Sequence, residues 1–401
     1  MITTLALASI LWASSGALET NQTNALIAEA IADAQSRSSL LLSDDNASHD
    51  DGFFIACHDG AFGLNISGQI QTRWNALWRD DDGAVDPFRS GFQMRRVKVS
   101  FEGHVFDESL RFKITNELRR AGGGSRISDA YIEKRFDHGL AIQAGQFTLP
   151  FTREDLDSSK RQLAVDRSLV NGVFRLERSQ GIQLSIQDEL WRAWAAFSDG
   201  FRSPNIDFGS DATDWALTGR VEWLPVGSFG VFESQAGAFD AETSLRFGGA
   251  VHAEERGASV FGPGGRLVTW TGDITAAGAG WIGFATFTGR ENSQATGVTN
   301  TDWGVLAQLG VWATEDIVPF VRWEILIPDS DRIERSKTNI LTTGANWYLH
   351  GEAIKLTVDG VWLIDGAGSN DLVGSSTGVG LLNPGFGDSA FLLRAQVQVL
   401  F

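Results

Sequence analysis

Hydrophobic and polar residues alternate along most of the chain. In the segment FQMRRVKVSFEGHVF, residues 92–106, polar side chains from Arg96 to His104 occupy one phase and apolar side chains from Val97 to Val105 occupy the other. Successive side chains of a β-strand point to opposite faces. The segment is therefore predicted to be a strand with one charged face and one apolar face.

Sixteen such segments are predicted after residue 61, separated by clusters of Gly, Asp, Asn and Ser. Their predicted bounds are 62–78, 91–106, 109–120, 126–136, 139–148, 178–188, 190–199, 213–224, 243–254, 266–276, 279–290, 302–314, 317–327, 337–349, 353–364 and 389–401. Connections after odd-numbered segments are mostly the longer ones, which is typical of membrane barrels with loops at one end and turns at the other. Residues 225–242 fit this pattern poorly.

The apolar faces could meet a protein core or lipid. A sandwich of this size would have to bury sixteen apolar faces in pairs, whereas a closed barrel leaves no strand edge and satisfies every backbone polar group. The chain also ends on Phe401, in the apolar phase of the last segment. We therefore predict an all-β fold, a sixteen-stranded antiparallel transmembrane β-barrel over residues 61–401.

The N-terminal residues have a different character. Residues 1–17 contain an apolar stretch followed by Ser15 and Ala17, which favours a signal peptide. A one-sided apolar stripe over residues 21–42 predicts a short helical segment, followed by the acidic stretch SDDNASHDDG. We assign residues 18–60 to this helical segment and its acidic linker.

Charge, cysteine content and the absence of known motifs exclude several classes of function and site. The net charge is −17, which argues against a nucleic-acid partner. Cys57 is the only cysteine, so no disulfide can form within the chain. The six histidines show no metal-ligand spacing, and no catalytic motif is present, so the sequence predicts no metal, no cofactor and no catalytic residue.

Four stretches carry a family resemblance. GFQMRRVKVSFEGHVFDESLRFKITNEL at 91–118, SDAYIEKRF at 128–136, AGQFTLPFTREDLDSSKRQLAVDRSLV at 144–170 and RSQGIQLSI at 178–186 occur in this order. Together they resemble the phosphate-selective porin O/P family of bacterial outer-membrane channels.

The resemblance implies a sixteen-stranded barrel, usually trimeric, with a loop after the fifth strand folded inward and basic residues along the pore. The expected function is a water-filled outer-membrane porin for passive diffusion of small hydrophilic solutes, including anions such as phosphate. Asp166 replaces the glutamate that the family carries before Arg-Ser, and the chain is acidic overall, so the phosphate preference is the weaker expectation.

Selectivity in a pore comes from the charges at its narrowest part. The inward phases and the long segment 152–178, predicted to fold into the lumen, supply eight candidate pore-lining residues that would interact with anions. They are Arg96, Lys98, Arg111, Lys113, Lys160, Arg161, Arg167 and Arg220. The alternative is that such charges pair across strands and only keep the lumen wet, or that the segment lies outside the barrel.

Two other functional classes remain open from the sequence. One is a structural outer-membrane barrel that anchors the envelope through its N-terminal segment. The other is a barrel enzyme such as a lipase, for which no Ser–His pair stands out. The expected partners are outer-membrane lipid, small solutes or anions, and two further copies in a homotrimer.

Overall fold

The computed structural model describes residues 52–57, 60–79, 87–118, 124–208, 213–257, 264–333, 336–365, 372 and 389–401. Seventeen strands form one sheet over these residues. The strands are β1 (Phe53–Ala56), β2 (Phe62–Arg79), β3 (Phe88–Val105), β4 (Asp107–Leu118), β5 (Ser125–Arg135), β6 (Leu140–Thr148), β7 (Arg178–Gln187), β8 (Trp191–Ser198), β9 (Thr213–Val226), β10 (Ser244–Arg256), β11 (Gly265–Gly278), β12 (Trp281–Gln294), β13 (Thr299–Val311), β14 (Ile317–Ile327), β15 (Thr338–His350), β16 (Ile354–Asp365) and β17 (Ala390–Leu400).

The sheet closes into a barrel. Each strand from β2 to β16 pairs antiparallel with the next, and β17 returns to β2 in a register that runs from Leu400 opposite Gln69 to Ala390 opposite Arg79. The predicted sixteen-stranded closed barrel is therefore confirmed.

The short strand β1 joins the sheet before the predicted start of the barrel at residue 61. It pairs with the first residues of β2, so that Phe53 lies opposite Ile66 and Ala56 lies opposite Gly63. Its partners on β2, residues 63–66, come shortly before residues 69–79, which pair with β17. Strand β1 and strand β17 therefore pair with the same edge of β2. The predicted signal peptide, the helix over 21–42 and the linker up to residue 51 lie outside the described residues.

The two faces of the wall match the predicted phases. On β9, Thr218, Arg220 and Glu222 point inward and are buried, whereas Leu217 and Val221 point outward and are more than half exposed in the isolated chain. An apolar outer face with a polar inner face is the reverse of a soluble protein and is the pattern of a barrel in lipid.

Helical structure is confined to short turns among the described residues. They are α1 (Arg153–Leu156), α2 (Leu169–Phe174) and two 3₁₀ turns, Asp137–Gly139 and Phe229–Phe232. No helix in the described parts of the chain has the length and hydropathy of a membrane span.

Candidate functional site

The segment 149–177, here called the inner loop, fills part of the barrel. It contains α1 and α2, and it joins β6 to β7. Leu169, Val170 and Phe174 are almost fully buried, and they pack against inward-facing apolar residues of β13 to β17. A Cβ atom on Gly304 of β13 would come within 2.7 Å of the Phe174 ring, so the glycine permits this close approach. The inward fold that the sequence predicts is therefore present.

Polar contacts fix the start of α2. The Ser168 hydroxyl accepts a hydrogen bond from the Asn171 N–H at 2.9 Å, as an N-cap residue does. The Glu324 carboxylate on β14 accepts the Val170 N–H at 3.1 Å. A wall carboxylate thus binds backbone groups of the inner loop directly.

Asp166 is the most heavily paired residue of the inner loop. Its carboxylate contacts Arg73, lies 2.9 Å from Arg95 Nε and lies 3.3 Å from Arg96 Nη2. Its main-chain oxygen accepts a hydrogen bond from Arg322 Nη1 at 3.0 Å. Burial alone would raise the pKa of Asp166, but the surrounding guanidinium groups hold that pKa well below its ordinary value. The inner loop is thus tied to the wall by an ionised carboxylate.

Two adjoining cavities lie between the inner loop and strands β2 to β7, the open side of the lumen. Their volumes are about 340 Å³ and about 540 Å³, and Ser67, Glu102, Lys113, Tyr131 and Lys160 line both. The larger cavity extends along the wall toward the short-turn end, past Asn65, His104, Arg111, Glu133 and Arg135.

The wall carboxylates of the smaller cavity are paired with bases. Glu102 Oε1 lies 2.6 Å from Lys113 Nζ. Asp129 accepts two hydrogen bonds from Arg178, at 2.8 and 3.2 Å. Such bidentate pairs hold both partners in place and neutralise the carboxylate.

The inner-loop carboxylates of the same cavity are also paired. Asp155 lies 3.5 Å from Arg175, and Asp157 lies 2.7 Å from Arg153. All four acids on the wall of this cavity therefore have a basic partner.

Lys98 differs from these groups. It lines the smaller cavity and has neither an ion pair nor a hydrogen bond to another residue in the described parts of the chain. Glu117, the residue opposite Lys98 on β4, lies 2.8 Å from Arg126 instead. The Lys98 amino group is thus available to a solute in the cavity.

Lys113, Lys160 and Arg167 also lie on the wall of the smaller cavity, and Arg111 lies on that of the larger. The Arg167 side chain donates to the main-chain oxygens of Glu154 and Asp157, at 2.6 and 2.7 Å, and thereby braces α1. The strand phase places Arg111 and Lys113 on the open side, and the inward fold of the inner loop brings Lys160 and Arg167 there.

Three predicted residues are placed elsewhere. Arg96 is buried and occupied by Asp166. Arg220 is also buried, and its guanidinium contacts Glu222 and Asp273, each at 2.8 Å. Arg161 pairs with Glu233 at 3.0 Å. These guanidinium groups lie inside the barrel and form ion pairs with carboxylates of the protein. None of the three arginines lines either cavity.

The turn between β9 and β10, residues 227–243, was not predicted as part of the site. It folds into the lumen and packs Phe229, Phe232 and Ala236 against the wall. Its signal in the sequence is the pair of phenylalanines in a connection where the barrel pattern predicts a short polar turn. Arg178, the bidentate partner of Asp129, is not among the eight candidate residues, although it ends the long segment 152–178.

No group of three or more His, Cys, Asp or Glu side chains in the described parts of the chain is arranged to hold a metal ion.

Comparison with known families identifies one match. The sequence profile described as phosphate-selective porin O and P matches residues 66–235. These residues include β2 from Ile66 onward, all of β3 to β9, the whole inner loop and the first part of the turn 227–243. A search of curated protein sequences finds no significant match.

Solved porin structures share the fold at low sequence identity. The anion-selective porin from Comamonas acidovorans superposes with a TM-score of 0.62 at 11% identity, covering 85% of this chain and 100% of that one. OmpF of Salmonella typhi in complex with daunomycin gives 0.59 at 11% identity, covering 86% and 100%. The outer membrane channel DcaP of Acinetobacter baumannii gives 0.57 at 11% identity, covering 87% and 99%.

Proposed function

We infer that this chain, whose residues 66–235 match the profile of the phosphate-selective porin O and P family, passes small anions along the open side of its lumen. The family match and the closed porin barrel support a passive diffusion channel of the bacterial outer membrane and argue against an enzyme. The anion preference is the finer proposal, and it rests on the charges of the smaller cavity.

The unpaired ammonium of Lys98 carries this proposal. The four cavity acids are each paired with a base, so their charges are locally compensated. Lys98 has no such partner among the described residues, and Arg167 uses its guanidinium mainly on main-chain oxygens. A narrow part of the path is therefore net positive even though the whole chain carries −17. Charges beyond a Debye length of about 8–10 Å are screened, so the local balance decides.

The reversal potential of a planar bilayer under a KCl gradient tests the proposal. We expect chloride to permeate better than potassium, and Lys98→Gln to lower the permeability ratio about twofold. A unit charge about 8 Å from the ion path contributes about 0.5 kcal/mol in water, which corresponds to that factor.

Lys134→Gln is the matched control, because Lys134 is a strand lysine outside both cavities and is paired with Asp107 at 3.5 Å. Its reversal potential should equal that of the unmodified channel. Cation preference in the unmodified channel, or equal shifts in the two variants, would refute the anion proposal.

Further features of the protein belong to the same proposal. We propose that residues 1–17 are a signal peptide, that the helical segment and its acidic linker occupy residues 18–51, because Phe53–Ala56 form β1 of the sheet, and that three copies form a homotrimer. The family resemblance supports the trimer, since members of the family are usually trimeric. Chemical cross-linking in outer-membrane fractions should yield a band of three chains and no larger assembly.

A further inference from the structure

The turn 227–243, here called the inner turn, breaks the pattern of the short-turn end. The other connections at this end run from a single residue, Phe106, to the five residues 312–316, whereas the inner turn spans the distance from Val226 to Ser244. It enters the barrel from the end opposite to the inner loop. A connection of one to five residues is enough to join neighbouring strands at this end, so the barrel wall does not require the longer inner turn.

Two arginine side chains of the wall lie against aromatic rings of the inner turn. The Arg192 guanidinium lies 3.8 Å from the centre of the Phe229 ring, and the Arg246 guanidinium lies 4.8 Å from that of Phe232. Neither arginine has a carboxylate partner among the described residues. Cation–π contacts of this kind are strengthened where water is excluded.

Hydrogen bonds hold the rest of the inner turn against the wall. Trp312 Nε1 donates to the main-chain oxygen of Ala236 at 2.9 Å, and the Ser234 hydroxyl donates to Glu352 at 2.9 Å. These contacts lie in the turns after β13 and after β15, whereas Arg192 and Arg246 lie on β8 and β10, so the segment spans a wide arc of the wall.

The inner turn also joins the inner loop in the middle of the lumen. The Gln235 N–H donates to the main-chain oxygen of Arg161 at 2.9 Å, and the Leu163 N–H donates to Gln235 Oε1 at 3.3 Å. Gln235 Nε2 donates to Asp157 at 3.0 Å, and Arg161 pairs with Glu233 at 3.0 Å. Two segments that enter from opposite ends thus form one continuous partition.

The wall behind this partition is apolar where an open lumen would be wet. Leu224, Ile282, Val318, Phe320 and Tyr348 point inward and are at most 7% exposed, because the inner turn and Leu163 cover them. Exposing such a patch to water is unfavourable in proportion to its apolar area. The inner turn is therefore a permanent part of this wall.

We propose that the inner turn is a second constriction element, which closes the side of the lumen bordered by β9 to β16 and sets the size limit for solutes. This inference rests on the proposed channel function, because a size limit has meaning only for a conducting barrel. Sixteen-stranded barrels without such filling leave a wide aqueous channel. The partition confines solutes to the cavities along β2 to β7.

The test replaces residues 227–244 with Asn-Gly, a two-residue turn whose twist matches paired strands. Val226 and Leu245, which already face each other, would flank the new turn. Single-channel conductance in 1 M KCl should rise at least about twofold, since more of the barrel cross-section is open. Liposome swelling should admit larger sugars than the unmodified protein admits.

A milder variant protects the test against a failure to fold. Gln235→Ala removes the bonds to Leu163 and Asp157 and leaves the inner turn at its full length, so conductance should rise by a smaller factor. Asp240→Ala is the control, because Asp240 is exposed in the same segment. Heat-modifiable gel mobility identifies folded barrels in each case.

The outcomes separate this inference from the channel function. Folded variants with unchanged conductance and an unchanged sugar limit would overturn the second constriction while leaving the porin assignment intact. An unmodified protein that conducts nothing would contradict the proposed channel function. In that case, conduction by the shortened protein would still support the inner turn as a constriction. If neither the unmodified nor the shortened protein conducts, the second constriction is overturned as well.

Discussion

The two sides of the lumen differ in what faces inward. On the open side, strands β2 to β7 present charged and polar groups to cavities of about 340 and 540 Å³. On the side bordered by β9 to β17, here called the filled side, a cavity of about 20 Å³ lies beside Phe232 and Arg246 among the described residues. A space of that size holds about one water molecule. One barrel therefore combines a channel wall and a protein core.

The inner loop separates the two sides because one of its faces is apolar and the other is charged. Leu163, Val170 and Phe174 face the filled side, and they bury apolar surface against the wall. Lys160 and Arg167 face the open side and line the cavity. The loop acts as an amphipathic layer between water and a core.

The same comparison explains why counting inward charges is a poor guide to selectivity. On the filled side, Arg394 makes two hydrogen bonds to Asp359, at 2.6 and 2.7 Å. Lys355 donates to the main-chain oxygens of Lys160 and Gln162, at 3.0 and 3.2 Å. These bases hold the inner loop in place and are buried from solutes, so only the charges of the open side act on passing ions.

The largest expected effect follows from releasing the inner loop from the wall. Asp166→Asn leaves Arg73, Arg95 and Arg96 close together without their common carboxylate. Breaking a buried ion pair by removing one partner costs about 3–5 kcal/mol. We expect this loss in the free energy of unfolding, measured by urea titration of the refolded barrel in detergent.

Glu189→Gln is the control for that experiment, because Glu189 is exposed in the turn between β7 and β8. A surface change of this kind alters the unfolding free energy by no more than about 0.5 kcal/mol. If Asp166→Asn behaves like the control, the arginines do not depend on Asp166 and the inner loop is held by its apolar face alone.

A smaller effect is expected at the seam where the two sides meet. The Phe401 ring lies over Gly68, where a Cβ atom would come within 2.3 Å of the ring. Gly68→Ala forces the terminal ring to move, with a cost of about 1 kcal/mol, the low end for overpacking. The fraction of heat-modifiable barrel in outer membranes should fall.

Gly91→Ala provides the matched comparison for the seam, because nothing lies within 4 Å of a Cβ atom at that strand position. Its assembled fraction should remain that of the unmodified protein. Equal assembly of the two variants would show that the contact between Phe401 and Gly68 is not used in assembly.

The strands could be predicted closely from the sequence, because alternation with a period of two reports the face of each residue directly. The predicted strand 317–327 coincides with Ile317–Ile327, and the other predicted strands agree with the structure to within a few residues. The inner loop could be predicted from its length and family motif. These features depend on local pattern alone.

The division of the lumen could not be predicted in this way. The phase of Arg96 and Arg220 indicates that they point inward, but it does not report whether a loop covers them. The same holds for Phe320, whose inward position contradicts a wet lumen until the inner turn is seen against it. Contacts between distant segments decide these points, and no single stretch of sequence contains them.

The most direct test of the divided lumen is chemical access to each side during conduction. Ser100 lines the smaller cavity of the open side, and Thr342 is buried on the filled side. Each is replaced by cysteine in a protein that also carries Cys57→Ser. A charged methanethiosulfonate reagent should reduce the single-channel current of the Ser100 variant and leave that of the Thr342 variant unchanged. Equal reduction at the two positions, or reduction at Thr342 alone, would contradict a channel confined to strands β2 to β7.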